Sequence, residues 1–182
     1  MNIQKTLTPP DKRTLNIAGI LICSGLMLFA LYAQYQLQLE PCPLCILQRV
    51  AVIALGIVFL VAALHNPAGA GRYVYAVLLA IPTIFGVAVA GRHAWLQTLP
   101  ADKVPACGPG LDYMLESFPF QQVVEMVFTG SGECAKVSWS FLGLSMPAWV
   151  LLWVLVLGIA GIWNNLRRVP GWHKQSLPPF NL

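Results

Sequence analysis

The sequence predicts an all-α integral membrane protein: a four-helix bundle with one long outward loop that carries short amphipathic helices. Three observations predict it. Of the 182 residues, 57% are hydrophobic and only 10% are charged, so most of this chain's solvent is lipid. Four tracts nearly free of charge each approach the roughly 20 apolar residues that cross a bilayer core of about 30 Å. Lys and Arg gather in alternate connections, the signature of segments kept in the cytoplasm.

The first span is placed at 15–35. Lys5, Lys12 and Arg13 stand before it. Its apolar run is longer than the core of a secretory signal and has no small-x-small exit, so it is read as an uncleaved helix. Gly19 and Cys23, four residues apart, allow a neighbouring helix to come close. Cys23 then packs as a small apolar side chain. The second span is placed at 46–64 after a connection at 36–45, and the third at 73–91 after a short basic connection, 65–72, that holds Arg72. Pro82 interrupts the third span and is read as a packing feature. The fourth span is placed at 146–162, with Met146 and Pro147 at its start and Arg167, Arg168 and Lys174 beyond its end. The whole chain, 1–182, is expected to be one domain with both termini on the cytoplasmic side.

The segment 94–140 is too long to be plain connection in so small a protein. Its Asp102, Asp112, Glu116, Glu125 and Glu133 outnumber its basic residues, as an outward segment allows. Leu111, Met114, Leu115 and Phe118 follow helical spacing, and Phe120, Val123, Val124, Val127 and Phe128 repeat it behind Pro119. These are expected to form short amphipathic helices on the membrane surface. Trp95, Trp139, Tyr32 and Tyr35 at the outer ends, with Tyr73, Tyr75 and Trp163 at the inner ends, read as interfacial belts that report depth. The net charge of +4 belongs mostly to the cytoplasmic tails. It argues for topology and anionic lipid headgroups and gives no reason to expect nucleic acid.

Chemistry is expected where the second span begins. Cys42-Pro43-Leu44-Cys45 places two thiols three residues apart, close enough to form a small disulfide ring. A helix starting near Pro43 puts Cys45 in its first turn, where unpaired N–H groups favour a thiolate. Arg49 follows four residues later on the same helix face and supplies a fixed cation. Cys42, Cys45, Cys107 and Cys134 all fall on the outward side. Four cysteines allow three pairings, of which spacing favours Cys42 with Cys45. Two permanent structural disulfides remain an alternative on this reading. Zinc or copper binding would be better supported by a second CxxC, which the chain lacks. Gly108, Pro109 and Gly110 follow Cys107, and Gly130, Ser131 and Gly132 precede Cys134, so both loop cysteines adjoin turn-forming chain suited to a mobile arm.

Three stretches, Pro41-Cys42-Pro43-Leu44-Cys45-Ile46-Leu47-Gln48-Arg49, Gly132-Glu133-Cys134-Ala135 and Phe141-Leu142-Gly143-Leu144-Ser145-Met146-Pro147, together resemble the DsbB family. A vitamin K epoxide reductase-like protein shares four helices, a CxxC and a loop pair, but the motif order here suits DsbB better. The resemblance implies a bacterial inner-membrane oxidase that regenerates a periplasmic DsbA-like, thioredoxin-fold thiol oxidase. It implies a mixed disulfide with that partner through Cys107, passage of two electrons from the Cys107 and Cys134 pair to Cys42 and Cys45, and delivery to ubiquinone, or to menaquinone under low oxygen. Within that scheme Cys45 faces the quinone ring, Cys42 faces the mobile loop, Arg49 donates to a quinone carbonyl, and His93 stands near the quinone. No metal is implied.

Overall fold

The computed structural model describes residues 11–67, 69–104 and 111–167. Its elements in chain order are α1 (Lys12–Tyr35), α2 (Pro43–His65), α3 (Gly71–Leu96), a single 3-10 turn (Ala101–Lys103), α4 (Leu111–Ser117), α5 (Phe120–Thr129), α6 (Gly132–Ala135), a two-stranded hairpin of β1 (Ser140–Phe141) and β2 (Leu144–Ser145), and α7 (Met146–Leu166). Helices α1, α2, α3 and α7 are each long and apolar enough to cross a membrane. The predicted all-α membrane bundle is the fold observed.

The long helices form a closed ring in which α1 packs on α2, α2 on α3, α3 on α7 and α7 on α1. Each starts or stops for a local reason. Cys42 is the extended N-cap of α2, with Pro43 behind it in the first turn, where a missing N–H costs nothing and a fixed φ helps. The far end of α2 closes on Asn66 in the left-handed region at φ 42°, a conformation Asn tolerates better than most residues. Ser145 caps α7, and Pro147 again occupies its first turn.

All four long helices run past the apolar windows that the sequence suggests, α1 beginning at Lys12, ahead of 15. Helix α2 begins at Pro43, ahead of 46, because its capping turn contains the CxxC itself. Helix α3 continues to Leu96, beyond 91. Arg92 and His93 end a hydropathy window without ending a helix, and the Arg92 guanidinium donates to the Phe128 and Thr129 carbonyls at the end of α5 (3.2 and 2.9 Å). Helix α7 reaches Leu166, beyond 162, because Asn164 and Asn165 are bound to α1.

That binding is a polar knot between the first turns of α1 and the last of α7. Asn16, Asn164 and Asn165 are all buried. The Asn16 side-chain oxygen accepts from the amides of Asn164 (3.3 Å) and Asn165 (3.2 Å), Asn164 donates to the Lys12 carbonyl (3.0 Å), and the Lys12 ammonium donates to the Asn165 carbonyl (3.0 Å). Buried polar groups persist at membrane depth when they satisfy one another. This knot ties the chain's first span to its last.

Elsewhere the helices approach through small residues, as association in lipid requires. A Cβ built on Gly19 of α1 would lie 2.9 Å from the Phe59 ring, and one on Gly161 of α7 2.6 Å from the same ring. Gly86 of α3 faces Val154 at 3.0 Å and Ala51 at 3.1 Å, and a Cβ on Gly158 would collide with Thr83. Cys23 packs against Gly56 in a buried cluster with Val52, Leu55 and Phe59, as a small apolar side chain should. Pro82 is buried inside a helix that continues through it, with the adjacent Thr83 hydroxyl donating to the Leu79 carbonyl (2.6 Å).

Helices α4 and α5 form where the amphipathic spacing places them. Met114, Val123 and Val127 are buried in a cluster with Cys42, Leu44, Val89 and Leu96, so one apolar face caps the outward end of the bundle. Phe120, Val124 and Phe128 stay exposed. Tyr75 departs from the expected interfacial belt: it is buried, with its hydroxyl 2.9 Å from His65 Nδ1.

Gly158→Val should destabilise the bundle by about 1–3 kcal/mol, the usual cost of overpacking a close contact, seen as a lower melting temperature in detergent. Gly25→Val is the control, since nothing lies within 4 Å of a Cβ at Gly25, and it should melt close to the parent.

Candidate redox site

At the end of the bundle that carries the CxxC, the first turn of α2 lies against the last turn of α3. The turn of α2 closes through Ile46 N–H donating to the Cys42 carbonyl (3.2 Å). That turn brings the Cys42 and Cys45 sulfurs to 3.2 Å, within a small side-chain movement of a disulfide bond of about 2.05 Å. Cys42 is buried and Cys45 partly so, and Leu44 between them is fully buried, which anchors the turn.

His93 comes from α3 and is only 3% exposed. Its Nε2 lies 3.8 Å from the Cys42 sulfur and its Nδ1 4.0 Å from the Cys45 sulfur. The Gln48 side-chain nitrogen sits 2.8 Å from the same Nδ1. Gln48 follows Cys45 by three residues, so it rises from the same helix face. It is a buried polar residue in an apolar helix; in the sequence its only signal is an amide within an apolar run, beside the more conspicuous Arg49.

The Arg49 guanidinium is fastened to α1, donating through Nη1 to the Gln34 side-chain oxygen (2.5 Å) and through Nη2 to the Ala30 carbonyl (3.2 Å). Both acceptors are neutral, so the positive charge is held in position without being cancelled. Cys134 arrives from the short helix α6, whose turn closes through Cys134 N–H donating to the Ser131 carbonyl (2.9 Å). It is fully buried and belongs to the same cluster as Cys42. Its thiol interacts with the Cys42 side chain, and that contact, together with burial and repulsion from charge on Cys42, pushes the Cys134 thiol well above the ordinary thiol range. Cys107 lies outside the described residues. Of the residues singled out in the sequence, Cys42, Cys45, Cys134 and His93 are therefore brought together, with Arg49 beside them.

Two cavities meet at this point. The smaller, about 100 Å³, is lined by Cys42, Cys45, His93, Gln97, Glu133 and Lys136 among others. The larger, about 290 Å³, is walled by Phe29, Trp139, Phe141, Trp149 and Trp153. Ala30, Gln48, Arg49, Trp139, Met146 and Val150 line both, so thiols and aromatic walls share one partition. Among the described residues no carboxylate lines the larger cavity. Its hydrogen-bond donors are Arg49, Gln48 and the indoles.

The hairpin before α7 builds the outer wall. Leu142 and Gly143 both take positive φ, 51° and 79°, as a two-residue turn between twisted strands requires. The Trp149 indole donates to the Phe141 carbonyl (3.1 Å). Trp139 stacks on Phe141 at 6.1 Å and meets Phe29 edge-on at 5.4 Å. Trp139, expected only to mark depth, is instead a wall of the site.

Chemically, the arrangement can cycle a disulfide beside a fixed cation and an apolar, aromatic cavity. The ligand atoms of Cys42, Cys45 and His93 lie within 4.8 Å of one another, a spacing compatible with a metal ion, yet the two sulfurs are the same pair that a disulfide would use.

Comparison with known proteins agrees with this geometry. The family model described as Disulfide bond formation protein DsbB matches residues 12–164. The chain is similar to Disulfide bond formation protein B of Nitrosococcus oceani, 57% identical over 158 residues that cover 87% of this chain and 94% of the relative. It is 56% identical to the protein of that name from Hahella chejuensis over 83% of this chain and 90% of the relative. It is 48% identical to that of Methylococcus capsulatus over 89% of this chain and 100% of the relative. With four membrane-capable helices and a close thiol pair at the head of the second, the chain belongs to the DsbB family, as a multi-pass membrane oxidoreductase of disulfide bond formation.

Proposed function

We propose that this protein is a quinone-dependent thiol oxidase of the bacterial inner membrane that reoxidises a periplasmic DsbA-like protein. The observation that carries the proposal is the partition formed by Gln48, Arg49 and Trp139, with the thiol cavity on one side and the aromatic cavity on the other. The residues present suit a quinone: planar walls for a ring, no carboxylate to repel its carbonyls, and a guanidinium with further N–H donors beyond the two in use. Arg49, Gln48 and the ring of Trp residues would hold it. When bound, a ubiquinone, or a menaquinone at low oxygen, supplies a two-electron, two-proton acceptor. A DsbA-type partner is itself strongly oxidising, at about −120 mV, so an acceptor beyond the ordinary thiol buffers is required to reoxidise it.

The chain's own steps are two thiol–disulfide exchanges. A partner thiolate attacks Cys107 of the Cys107–Cys134 disulfide, forming a mixed disulfide and releasing Cys134. The partner's second thiol displaces Cys107, and the partner leaves oxidised. The Cys107 and Cys134 dithiol then reduces the Cys42–Cys45 disulfide and regains its own, so two electrons and two protons have moved inward. Cys45, partly exposed in the first turn of α2 and lining the same cavity as Arg49, passes them to the acceptor, and the Cys42–Cys45 bond reforms. Burial of Cys134 against Cys42 supports the second exchange.

Topology follows from charge. Lys12, Arg13, Arg72 and Arg167 lie at the start of α1, the start of α3 and the end of α7, which share one end of the bundle and face the cytoplasm together with both termini. The cysteine pairs then face the periplasm.

The direct test mixes purified protein with a reduced thioredoxin-fold partner and ubiquinone and follows loss of the quinone absorbance; the absence of partner-dependent loss would refute the proposal. Cys45→Ser should abolish that turnover while leaving the melting temperature of the bundle in place. Arg49→Gln should raise the apparent KM for quinone roughly tenfold or more, the value of a hydrogen bond to a charged donor, with the thiol exchanges unaffected. A partner whose second cysteine is changed to Ser should accumulate a covalent adduct through Cys107, visible on a non-reducing gel, because the thiol that would displace Cys107 is missing; Cys107→Ser should abolish that adduct.

A further inference from the structure

Gln48 is a buried amide in the apolar helix α2, and its side-chain nitrogen points at His93 Nδ1 from 2.8 Å. An amide nitrogen can only donate. Nδ1 must therefore accept, and an uncharged imidazole that accepts at Nδ1 carries its proton on Nε2. That nitrogen lies 3.8 Å from the Cys42 sulfur, within hydrogen-bonding range for sulfur. The Cys45 sulfur is 4.0 Å from Nδ1, the nitrogen already engaged by Gln48.

We infer that Gln48 is a positioning residue that holds His93 in its Nε2–H tautomer, so that the imidazole donates to the sulfur of Cys42 and is committed to that thiol, not to an acceptor in the aromatic cavity. The inference rests on the reading of Cys42 and Cys45 as the inner redox pair. When the Cys107 and Cys134 dithiol reduces the Cys42–Cys45 disulfide, Cys134, buried against Cys42, attacks that sulfur and Cys45 leaves with the electron pair; Cys107 then attacks Cys134 of the Cys42–Cys134 bond, Cys42 leaves in turn, and the Nε2–H stabilises the charge gathering on it. The imidazole donates a hydrogen bond and keeps its proton, since losing it would leave an imidazolate. The two protons of the newly formed thiols come from the dithiol that was oxidised. His93 therefore biases the pair, with Cys42 held on the His93 side and Cys45 left to the Arg49 side.

Among the described residues none competes with Cys42 at Nε2. Arg49 is engaged with Gln34 and Ala30 on α1. The other ionisable groups facing the small cavity are Glu40, Cys45, Glu133 and Lys136, with Cys134 reached through Cys42, and the His93 ring meets Cys42, Cys45 and Gln48 rather than any of the charged groups.

The experiment is nitrogen NMR of full-length protein labelled at histidine, in its reduced form. The parent should show an unprotonated Nδ1 and a protonated Nε2 at His93. Gln48→Glu, equal in shape but with an acceptor facing Nδ1, should move the proton to Nδ1, and Gln48→Leu should give a mixture of tautomers. In quinone-free protein with both loop cysteines changed to Ser, Gln48→Glu should lower the equilibrium constant for reduction of the Cys42–Cys45 pair by glutathione about fivefold, as expected for loss of one hydrogen bond to a thiol, and Gln48→Leu should lower it less, in proportion to its share of the Nδ1–H tautomer. A parent with Nδ1 protonated, a tautomer indifferent to Gln48→Glu, or an unchanged reduction constant would overturn the inference while leaving the oxidase reading intact. The expected tautomer without quinone-linked turnover would do the reverse.

Discussion

The whole outward end of this molecule depends on one contact: the first turn of α2 packed against the last turn of α3. Leu44, Val89 and Leu96 seal that contact in a fully buried layer, and the reactive groups hang from its edge. Cys42 and Cys45 come from one side and His93 from the other, with Cys134 folded over them from the loop. Were the two helix ends to separate by even one turn, the sulfurs would keep their spacing in the CxxC but lose His93, Gln48 would lose its acceptor, and the partition between the cavities would open.

Lipid as solvent explains why the contact can be so exact in its register. Helices in a bilayer gain little by hiding apolar surface from one another, so their approach is governed by shape and by polar groups that cannot be left alone. Here shape is supplied by Gly19, Gly86, Gly158 and Gly161, each admitting a neighbour where a side chain would stand. Polar pairing is supplied by the Asn16, Asn164 and Asn165 knot at the end away from the CxxC, in which the Asn164 side-chain oxygen alone is left without a partner among the described residues. The knot closes the ring of helices at the end opposite to the site, so the outward ends are held from below.

Division of labour at the site follows the same logic. Arg49 is tied to α1 by two neutral acceptors and keeps its charge available, whereas His93 is tied to α2 by a neutral donor and keeps one nitrogen for sulfur. The aromatic wall needs no charge at all. It rests on a hairpin whose turn demands positive φ at Leu142 and Gly143, braced by one indole bond from Trp149. Cation, imidazole and aromatic wall thus reach a single small volume from α2, from α3 and from the hairpin that leads into α7.

The sequence by itself determined the number of spanning helices, the placement of the CxxC at the head of the second and the amphipathic pair in the loop. These are local or compositional properties: a helix satisfies its own backbone in lipid, Pro43 can start one but not continue one, and apolar length is counted along the chain. Only the tertiary structure decided that His93 faces Cys42 across 51 positions of sequence, that Gln48 engages its ring, that Tyr75 is buried and that Trp139 walls a cavity. Those facts depend on how each helix is rotated about its own axis. That rotation is set by which glycine meets which ring on a neighbouring helix, and no period within a single segment records it.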